Sequence, residues 1–353
     1  MVPIVDLSRR ATRHAPAYQE AVQRVLRSGQ FLLGPEVAAF EAELAAACGM
    51  GHAVAVSSGA AALQLSLAVL GVGPGDEVIV PAFTAVPTAA AVRATGAMPV
   101  WVDVDPGTAA MDVDAAAAAC TERTRAVMPV HLYGRPAPLP DLGLPVVEDA
   151  AQAHGALGGG ERRGALVAYS FYPTKNLGGV GDGGAVVTDD AELAERVRRL
   201  RVHGMGEHYV HTDVAMNFRM SELEAAWLRL QLPHLPAGNA RRAAIAAAYR
   251  AAVPDARWHD DHPSHVHHLC VVRVAARDGV RDRLAARGVG TGVHYPLALS
   301  QQPAYAPFRR HACPEAEAWA AECLSLPCFP ELTDGEVEHV AEALADCLTG
   351  VRS

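Results

Sequence analysis

The first two-thirds of the chain alternate short apolar runs with alanine-rich stretches of helical spacing. The runs have the length of strands and are apolar throughout, which is typical of strands buried on both faces of a parallel sheet. Strands are predicted at HAVAV (52–56), EVIV (77–80), MPVWVDV (98–104), AVMPV (126–130), LPVVE (144–148), ALVAYSF (165–171) and GGAVVTD (183–189). Helices are predicted between several of them, at 59–70, 85–95 and 112–120. The pattern therefore predicts an α/β domain with a mostly parallel sheet flanked by helices, whose ligands lie outside the carboxyl ends of the strands.

The pattern changes after about residue 220. Residues 220–252 are strongly helical, with a break predicted at Pro233, Pro236 and Gly238. Further along we predict a strand at 268–274, a helix near 278–288, a strand TGVHY at 291–295, and helices near 314–323 and 334–348. The sequence thus predicts a large α/β domain, residues 1–235, and a smaller C-terminal α+β domain, residues 236–353.

Composition narrows the class of protein. The 353 residues are 50% hydrophobic and 20% charged, and the net charge is −9, which argues against nucleic acid as the partner. MVPIVDLSRR lacks the apolar core of a secretory signal, and the apolar stretches are too short to span a bilayer. Seven cysteines occur without a CxxC pair, so reduced thiols are expected. We expect a soluble cytoplasmic protein without a membrane partner.

Lys175 is the single lysine among thirty basic residues. Arginine can replace lysine in surface ion pairs, but only lysine can lose its proton and act as a nucleophilic amine. The lone lysine is therefore a candidate for covalent catalysis on a carbonyl compound. Codon bias that removed the other lysines is the alternative, and the skew alone leaves it open.

Polar groups near other predicted strand ends suggest a cofactor for this amine. Asp149 follows the strand 144–148, where a carboxylate can hold the protonated ring nitrogen of pyridoxal phosphate; it could instead cap a helix in AAQAH. The stretch from Ser57 to Ala60 leads from a strand into a helix, a geometry that attracts phosphate but also fits a plain N-cap. Ser170 is a second phosphate candidate or a core serine. The chain order matches the large domain of aminotransferase-like pyridoxal phosphate enzymes.

A set of ordered motifs makes this resemblance specific. They are GQFLLGPEVAAFEAELAA, PAFTAVPTAAAV, PVHLYG, VVEDAAQAHGA, SFYPTKNLGGVGDGGAVVTDD, AMNFRMSELEAAWL and GVGTGVHYP. Together they resemble the DegT/DnrJ/EryC1/StrS family of sugar aminotransferases, from IVDLSRR near the start to SLPCFPELTD near the end. The resemblance implies aminotransferase fold type I and pyridoxal 5′-phosphate as the cofactor.

The resemblance also implies roles for individual residues. The implied cofactor-binding set is Ser58, Gly59, Ala60, Asp149, Gln152, Ser170, Lys175 and Asn217. Lys175 would carry the cofactor as a Schiff base and Asp149 would pair with its ring nitrogen, which makes both catalytic. Gln152 would lie near the ring and its O3′. Ser170 would hold the phosphate together with backbone groups, because Ala60 stands where the family usually has threonine.

Other matches concern the substrate and the partner subunit. Asn217 would reach the cofactor phosphate of a neighbouring subunit, so a homodimer with shared active sites is expected. His294 and Tyr295 match a loop near the substrate. His131 and His154 match common family positions, and we expect them to shape the site rather than act chemically.

The run that follows Lys175 indicates a branch of the family. KNLGGVGDGG is similar to enzymes that aminate C3 of dTDP-3-keto-6-deoxyhexoses in the making of antibiotics and surface glycans, with L-glutamate as the amino donor. The alternatives are amination at C4 of a dTDP-4-keto-6-deoxyhexose, amination of a cyclitol, and a sensor that binds the cofactor without catalysis. Lys175 argues against the family's sugar 3-dehydratases, which carry histidine there.

HDDHPSHVHH, residues 259–268, contains five histidines and two aspartates. These are metal-ligand types, but their spacing matches no metal site that we can name. We interpret the segment as a solvated loop with one structural histidine, such as His268. No metal ion is expected.

Overall fold

The computed structural model describes residues 1–157 and 164–349. The helices are α1 Leu7–Ser28, α2 Pro35–Cys48, α3 Gly59–Val69, α4 Val86–Ala94, α5 Val113–Ala118, α6 Ala191–Leu200, α7 Glu222–Gln231, α8 Leu235–Ala252, α9 Arg277–Ala286, α10 Pro314–Glu322 and α11 Asp334–Thr349. The strands are β1 His52–Val56, β2 Glu77–Pro81, β3 Met98–Val102, β4 Thr124–Val127, β5 Val147–Asp149, β6 Leu166–Ser170, β7 Gly184–Thr188, β8 Met205–Glu207, β9 Val210–His211, β10 Arg257–Trp258, β11 Cys270–Arg273 and β12 Cys323–Leu326.

Within the described residues, the main sheet has seven strands in the order β3-β2-β4-β5-β6-β7-β1. β3, β2 and β4 pair in parallel, as do β5 and β6. Parallel bridges from Val127 to Val146 and from Val130 to Asp149 join these two groups. Of these seven strands, β7 runs antiparallel to both its neighbours. The predicted α/β architecture with a mostly parallel sheet is confirmed.

Both faces of the sheet are covered, which explains why its strands are apolar throughout. In β1, Val54 and Val56 belong to the core beneath α3 and α4. The alternate residues Ala53 and Ala55 belong to a second core with residues of α2 and α7. Because side chains alternate along a strand, burial on both faces demands apolar residues at every position.

The first two helices were not predicted. α1 is polar over most of its surface and buries Ala21 and Val25, so its apolar signal is weak. The start of α2 depends on a distant residue: the carboxylate of Glu222 accepts hydrogen bonds from the N–H groups of Gly34, Glu36 and Val37 at 2.8–2.9 Å.

Among the described residues, no helix has both the length and the apolar character needed to cross a lipid bilayer.

One local prediction was wrong, and another was confirmed in part. Residues 291–295 form no strand, and their backbone makes one bridge, from Gly292 to Ser325. The carbonyl of His294 instead accepts a hydrogen bond from the Tyr133 hydroxyl, so a side chain takes the place of a ladder partner. The predicted helical break is confirmed at Pro233, which lies in a short turn, Leu232–His234, between α7 and α8. Pro236 and Gly238 lie inside α8 instead, because a proline in a first helical turn removes no intrahelical bond.

The C-terminal part contains a second, antiparallel sheet in the order β10-β11-β12. Its core packs Val272 and Leu324 against Tyr249 of α8 and Leu344 of α11. Val2, from the other end of the chain, joins the same cluster. The domain boundary at residue 235 remains a prediction.

The histidine-rich segment 259–268 is largely buried, so its interpretation as a solvated loop was wrong. Four of its five histidines are at most 7% exposed: His259, His265, His267 and His268. The segment docks against residues 131–135, because the N–H of Val266 donates to the Gly134 carbonyl at 3.0 Å. A Cβ at Gly134 would lie 2.8 Å from a Val266 methyl group. This long-range contact cannot be deduced from the local sequence.

Candidate active site

The candidate residues meet where the carboxyl ends of several strands reach one edge of the sheet. Asp149 ends β5 and Ser170 ends β6. β1 runs parallel to β6, because both pair antiparallel with β7, and α3 begins at Gly59 shortly after β1. This edge is where parallel α/β sheets bind ligands.

The start of α3 and the end of β6 form a close-fitting cradle. A Cβ added to Gly59 would lie 2.5 Å from the Cβ of Ser170 and 3.0 Å from its Oγ, so the serine can approach this closely only because residue 59 is glycine. Ser58 caps the helix by accepting a hydrogen bond from the Ala61 N–H at 3.1 Å. The first N–H groups of a helix lack intrahelical partners and favour an anion. A hydroxyl and free N–H groups at one point suit a phosphate group.

Asp149 is buried, with 5% of its surface exposed. Its Oδ2 accepts a hydrogen bond from the hydroxyl of Thr88 at 2.8 Å, and its Oδ1 accepts one from the Ala151 N–H at 3.1 Å. Burial raises the pKa of the carboxyl group, although these hydrogen bonds and Lys175 oppose the rise. A buried carboxylate of this kind is stabilised by a cationic partner. Residues 150–157 form turns rather than a helix, so Asp149 is not a helix cap.

Lys175 lies on the loop after β6, and its side chain reaches a cavity of about 390 Å³. Burial lowers the pKa of the amine to about 8, and the charge of Asp149 opposes that fall. Roughly a tenth of the amine is therefore uncharged at pH 7, and a nucleophile or base requires this form. Arg10 of α1 holds the loop by donating to the carbonyls of Pro173 and Lys175.

The same cavity brings the substrate candidates His294 and Tyr295 to the lysine. Gln152, which was assigned to the cofactor ring, lines the cavity as well. Gln152 is held in one orientation, because its Oε1 accepts from the N–H of Tyr133 at 2.6 Å and its Nε2 donates to the Tyr295 hydroxyl at 3.1 Å. The position of His294 is set by a 2.9 Å hydrogen bond between its Nδ1 and the Ser325 hydroxyl.

The two other histidines pack within the protein. His131 Nδ1 accepts from the Ala137 N–H at 2.9 Å, so its Nε2 carries the proton that it donates to Glu148 at 2.8 Å. His154 packs against the rings of Tyr169 and Phe171, and burial lowers its pKa to about 3. These surroundings fit the structural part that we expected for both residues.

The backbone beside Asn217 passes close to the cradle, because the carbonyl of Phe218 accepts a hydrogen bond from the Ser57 N–H at 2.9 Å. The Asn217 side chain is exposed, on a segment that also exposes Val214 and Met216. Sequence reasoning missed Thr88 and Arg10, although Thr88 lies within the quoted motif PAFTAVPTAAAV. Threonine occurs in many structural roles, and only the hydrogen bond to Asp149 identifies Thr88 as part of the site.

The glycine-rich run after Lys175 covers the buried side chain of Glu224. A Cβ at Gly179 would lie 1.5 Å from Glu224 Oε1, so the run can pass only as glycine. Trp227 fixes the same run by donating from Nε1 to the Gly178 carbonyl at 2.9 Å. Burial raises the pKa of Glu224 to about 7, and the N–H groups of Val180 and Gly181 oppose the rise.

We expect the substitution Glu224→Gln to raise the melting temperature at pH 8 by roughly 2–4 °C and to change it little at pH 5. A folded-state pKa above the unfolded value means that stability is present at low pH and is lost as pH rises through about 7. Thermal unfolding at both pH values measures the difference. Glu222→Gln is the control: it should lower the melting temperature at both, because its carboxylate accepts three backbone N–H groups. An equal gain for Glu224→Gln at both pH values would contradict this reasoning.

Comparison with known proteins agrees with this geometry. Residues 13–345 match the model of the DegT/DnrJ/EryC1/StrS aminotransferase family. The chain belongs to this family. Members of the family are pyridoxal-phosphate-dependent aminotransferases, and the phosphate cradle, buried carboxylate and single lysine of this aminotransferase fit that cofactor.

Individual relatives cover almost the whole chain. The aminotransferase is 46% identical over 362 residues to the dTDP-3-amino-3,4,6-trideoxy-alpha-D-glucose transaminase of Streptomyces venezuelae, covering 98% of this chain and 96% of the relative. It is 45% identical over 360 residues to the erythromycin biosynthesis sensory transduction protein EryC1 of Saccharopolyspora erythraea, covering 97% and 98%. The crystal structure of S. venezuelae DesV in complex with a ketimine intermediate superposes with a TM-score of 0.92 at 44% identity, covering 98% of each chain. The predicted fold type is therefore confirmed.

Proposed function

We propose that this aminotransferase moves an amino group from L-glutamate to a keto group of a nucleotide-linked deoxysugar, at C3 of a dTDP-3-keto-6-deoxyhexose. The proposed substrate rests on the similarity, over 98% of the chain, to a transaminase named for a dTDP-3-amino sugar. The run KNLGGVGDGG after Lys175 supports the same position. The product is an amino sugar for an antibiotic or a surface glycan.

The cofactor phosphate binds at the start of α3 in this proposal. The hydroxyl of Ser170 and the N–H groups of Gly59 and Ala60 donate to it, and Ser58 keeps the helix start in place through its cap. The close approach of Ser170 to Gly59 supports this assignment. The positive end of the helix dipole adds to the attraction.

We expect Ser170→Ala to weaken binding of pyridoxal phosphate roughly 10- to 100-fold, because a hydrogen bond to a charged group contributes about 1.5–3 kcal/mol. Equilibrium titration of the apoenzyme with the cofactor measures the change. Ser66→Ala is the matched control: this serine lies on α3 but donates to the Ala62 carbonyl at 2.8 Å, within the helix. Equal effects of the two substitutions would exclude Ser170 from the phosphate site.

The reacting groups are Lys175 and Asp149. Bound pyridoxal phosphate supplies a conjugated ring that accepts the electron pair left when a proton departs from the carbon bearing the amine. Lys175 Nζ takes that proton and returns it one position away, a task suited to an amine with a pKa of about 8. Asp149 keeps a proton on the ring nitrogen through a buried ion pair, and Thr88 orients its carboxylate.

His294 and Tyr295 position the substrate, and Gln152 connects them to the cofactor ring. Gln152 holds the Tyr295 hydroxyl at 3.1 Å and thereby links the residues around Asp149 to the loop 293–295. The side chain of His294 faces the cavity, and burial lowers its pKa. An uncharged imidazole can donate to or accept from a sugar hydroxyl without competing with Lys175 for a proton.

Product analysis tests the proposed substrate. The holoenzyme and L-glutamate are supplied with dTDP-4-keto-6-deoxyglucose, with and without a 3,4-ketoisomerase, and the product is identified by NMR. A dTDP-linked 3-keto-4,6-dideoxyglucose is supplied in parallel, as the keto sugar implied by the name of the S. venezuelae relative. We expect an amine at C3, and with the first sugar only when the isomerase is present.

The other results separate the alternatives. An amine at C4 without the isomerase would assign the C4 reaction. A cofactor that L-glutamate converts to its amine form, without amination of any of these sugars, would favour other nucleotide sugars or a cyclitol. A cofactor spectrum that L-glutamate leaves unchanged would favour the sensor, a class suggested by the name of the EryC1 relative.

We also propose a homodimer in which Asn217 of one subunit binds the cofactor phosphate of the other. The exposed apolar side chains near it, Val214 and Met216, support an interface there. Lys175→Ala and Asn217→Asp variants should each be inactive, and co-refolding them should restore up to about a quarter of wild-type activity, through one competent site in each heterodimer. Activity in the mixture no greater than the sum of the separate variants would contradict shared sites.

A further inference from the structure

Three side chains of the segment 259–268 converge at its exposed edge. Asp261 Oδ1 lies 3.9 Å from Nδ1 of His265 and 3.9 Å from Nε2 of His267. One ligand atom from each residue lies within 4.8 Å of the others. The two histidines are buried, whereas the aspartate side chain is 63% exposed. The cluster shares no residue with the proposed active site.

The hydrogen bonding of His265 determines which of its ring nitrogens has a lone pair. Its Nε2 lies 3.3 Å from the carbonyl oxygen of Tyr133, which can only accept, so Nε2 carries the proton. Nδ1 is therefore unprotonated, and it is buried without a hydrogen-bond partner among the described residues. A buried lone pair that faces a carboxylate is unfavourable unless a hydrogen-bond donor or a cation lies between them.

His267 lies directly against His265. Its ring stacks on that of His265 with 3.8 Å between centroids and 26° between planes, so two imidazolium ions there would repel each other. Burial and stacking therefore favour the neutral form of both rings, the form in which histidine binds metal ions.

We propose that Asp261 Oδ1, His265 Nδ1 and His267 Nε2 bind a divalent transition-metal ion of the Zn²⁺ type. Two imidazoles and one carboxylate form a common ligand set for such ions, with water in the remaining position. The Tyr133 carbonyl that accepts from His265 Nε2 acts as the outer partner that fixes the ligating nitrogen. Tetrahedral coordination places ligand atoms about 3.3 Å apart, so binding requires rotation of the exposed Asp261 side chain, which lies 3.9 Å from each histidine nitrogen, and a tilt of the stacked histidine rings toward the ion.

The ion would tie the exposed edge of the segment to its buried part. His268, the next residue, is linked through its Nδ1 to Asn176 Oδ1 at 3.2 Å, and Asn176 follows Lys175. His268 and Leu269 also line the cavity that contains Lys175. The bound ion therefore stiffens one wall of the cofactor cavity and takes no part in the chemistry.

Calorimetric titration with Zn²⁺ tests the site on untagged holoenzyme that has been treated with a chelator. The decisive pair is Asp261→Ala and Asp260→Ala, because both residues are exposed and adjacent and only Asp261 faces the histidines. We expect one Zn²⁺ per chain, binding weakened at least about tenfold in Asp261→Ala, and binding within about twofold of wild type in Asp260→Ala. Co²⁺ in place of Zn²⁺ should show visible d–d bands, which Asp261→Ala and His267→Gln should each diminish.

Several results would overturn the proposal. They are the absence of stoichiometric Zn²⁺ binding, equal losses in the two aspartate variants, and a Zn²⁺-induced change in cofactor absorbance that persists in Asp261→Ala. The last would place the metal on the cofactor. If His267→Gln fails to fold, the exposed aspartate pair still decides the question. The titration uses no sugar, so its result is independent of the proposed function.

Discussion

Replacing Lys175 with alanine is expected to abolish both transamination and covalent attachment of the cofactor, while the protein keeps its fold. The side chain is the one lysine of the chain, and its amine, with a pKa of about 8, is the proposed carrier of the reacting proton. Loss of a proton-transferring group lowers the rate by about 10²–10⁴-fold, and loss of covalent attachment adds to this. Stopped-flow absorbance of the bound cofactor after mixing with L-glutamate measures the rate.

Lys175→Arg is the matched control for charge. Arginine keeps a positive charge near Asp149 but cannot lose its proton, so we expect this variant to be as inactive as the alanine variant. Borohydride reduction followed by peptide mass spectrometry should find the cofactor on the peptide that contains residue 175 in the wild type and nowhere in either variant. Substantial activity of the arginine variant, or a cofactor attached at another position, would contradict the assignment of Lys175.

The second large effect is expected for Asp149→Asn, which should lower kcat by about 10²–10⁴-fold. Asparagine keeps the shape of the side chain. Its amide oxygen can still accept the hydrogen bond that the Thr88 hydroxyl donates to Asp149 Oδ2 at 2.8 Å in the wild type. It has no negative charge, so it would not hold a proton on the ring nitrogen, and the uncharged ring would accept an electron pair less readily. Single-turnover kinetics with L-glutamate at saturating cofactor separate this loss from weaker cofactor binding.

The neighbouring residue provides the control for Asp149. Glu148 is also buried, but its carboxylate contacts His131 Nε2 at 2.8 Å. We expect Glu148→Gln to lower the melting temperature, because it breaks a buried charge-assisted hydrogen bond, and to leave kcat within about threefold. Thr88→Val should lower kcat by about tenfold, since it removes one hydrogen bond that orients Asp149. An equal loss of kcat in the Glu148 and Asp149 variants would indicate a structural role for Asp149.

Much of the central fold could be predicted because its signals are local. The seven strands of the main sheet lie within or beside the predicted apolar runs, since a strand covered on both faces has no polar positions to obscure the pattern. α3, α4 and α5 were predicted for a similar reason. α1 was missed because a mostly exposed helix has few apolar positions. Residues 291–295 have the pattern of a strand, but the pattern does not show whether a neighbouring strand is there to pair with their backbone groups.

Several site residues could also be predicted from local sequence. The cradle residues at the start of α3, Asp149, Ser170 and Lys175 could be named from sequence, because each lies at or shortly after the end of a predicted strand and the carboxyl ends of parallel strands share one edge. Their partners could not. Thr88 lies 61 residues from Asp149 along the chain, and a threonine in a helix gives no sign of the carboxylate that it will meet.

The sequence by itself thus determined the fold class, the family, the single amine and the chain order of the cofactor residues, all of which depend on residue type and short spacings. Tertiary structure alone decided the contacts between distant segments: Ser170 against Gly59, Glu224 beneath Gly179, and the buried histidines beside Asp261. Such contacts depend on how helices and strands pack, and packing is set by the shape of the whole core rather than by any one segment. For that reason a run of histidines that looked like a solvated loop became, once folded, a pair of neutral imidazoles facing one carboxylate.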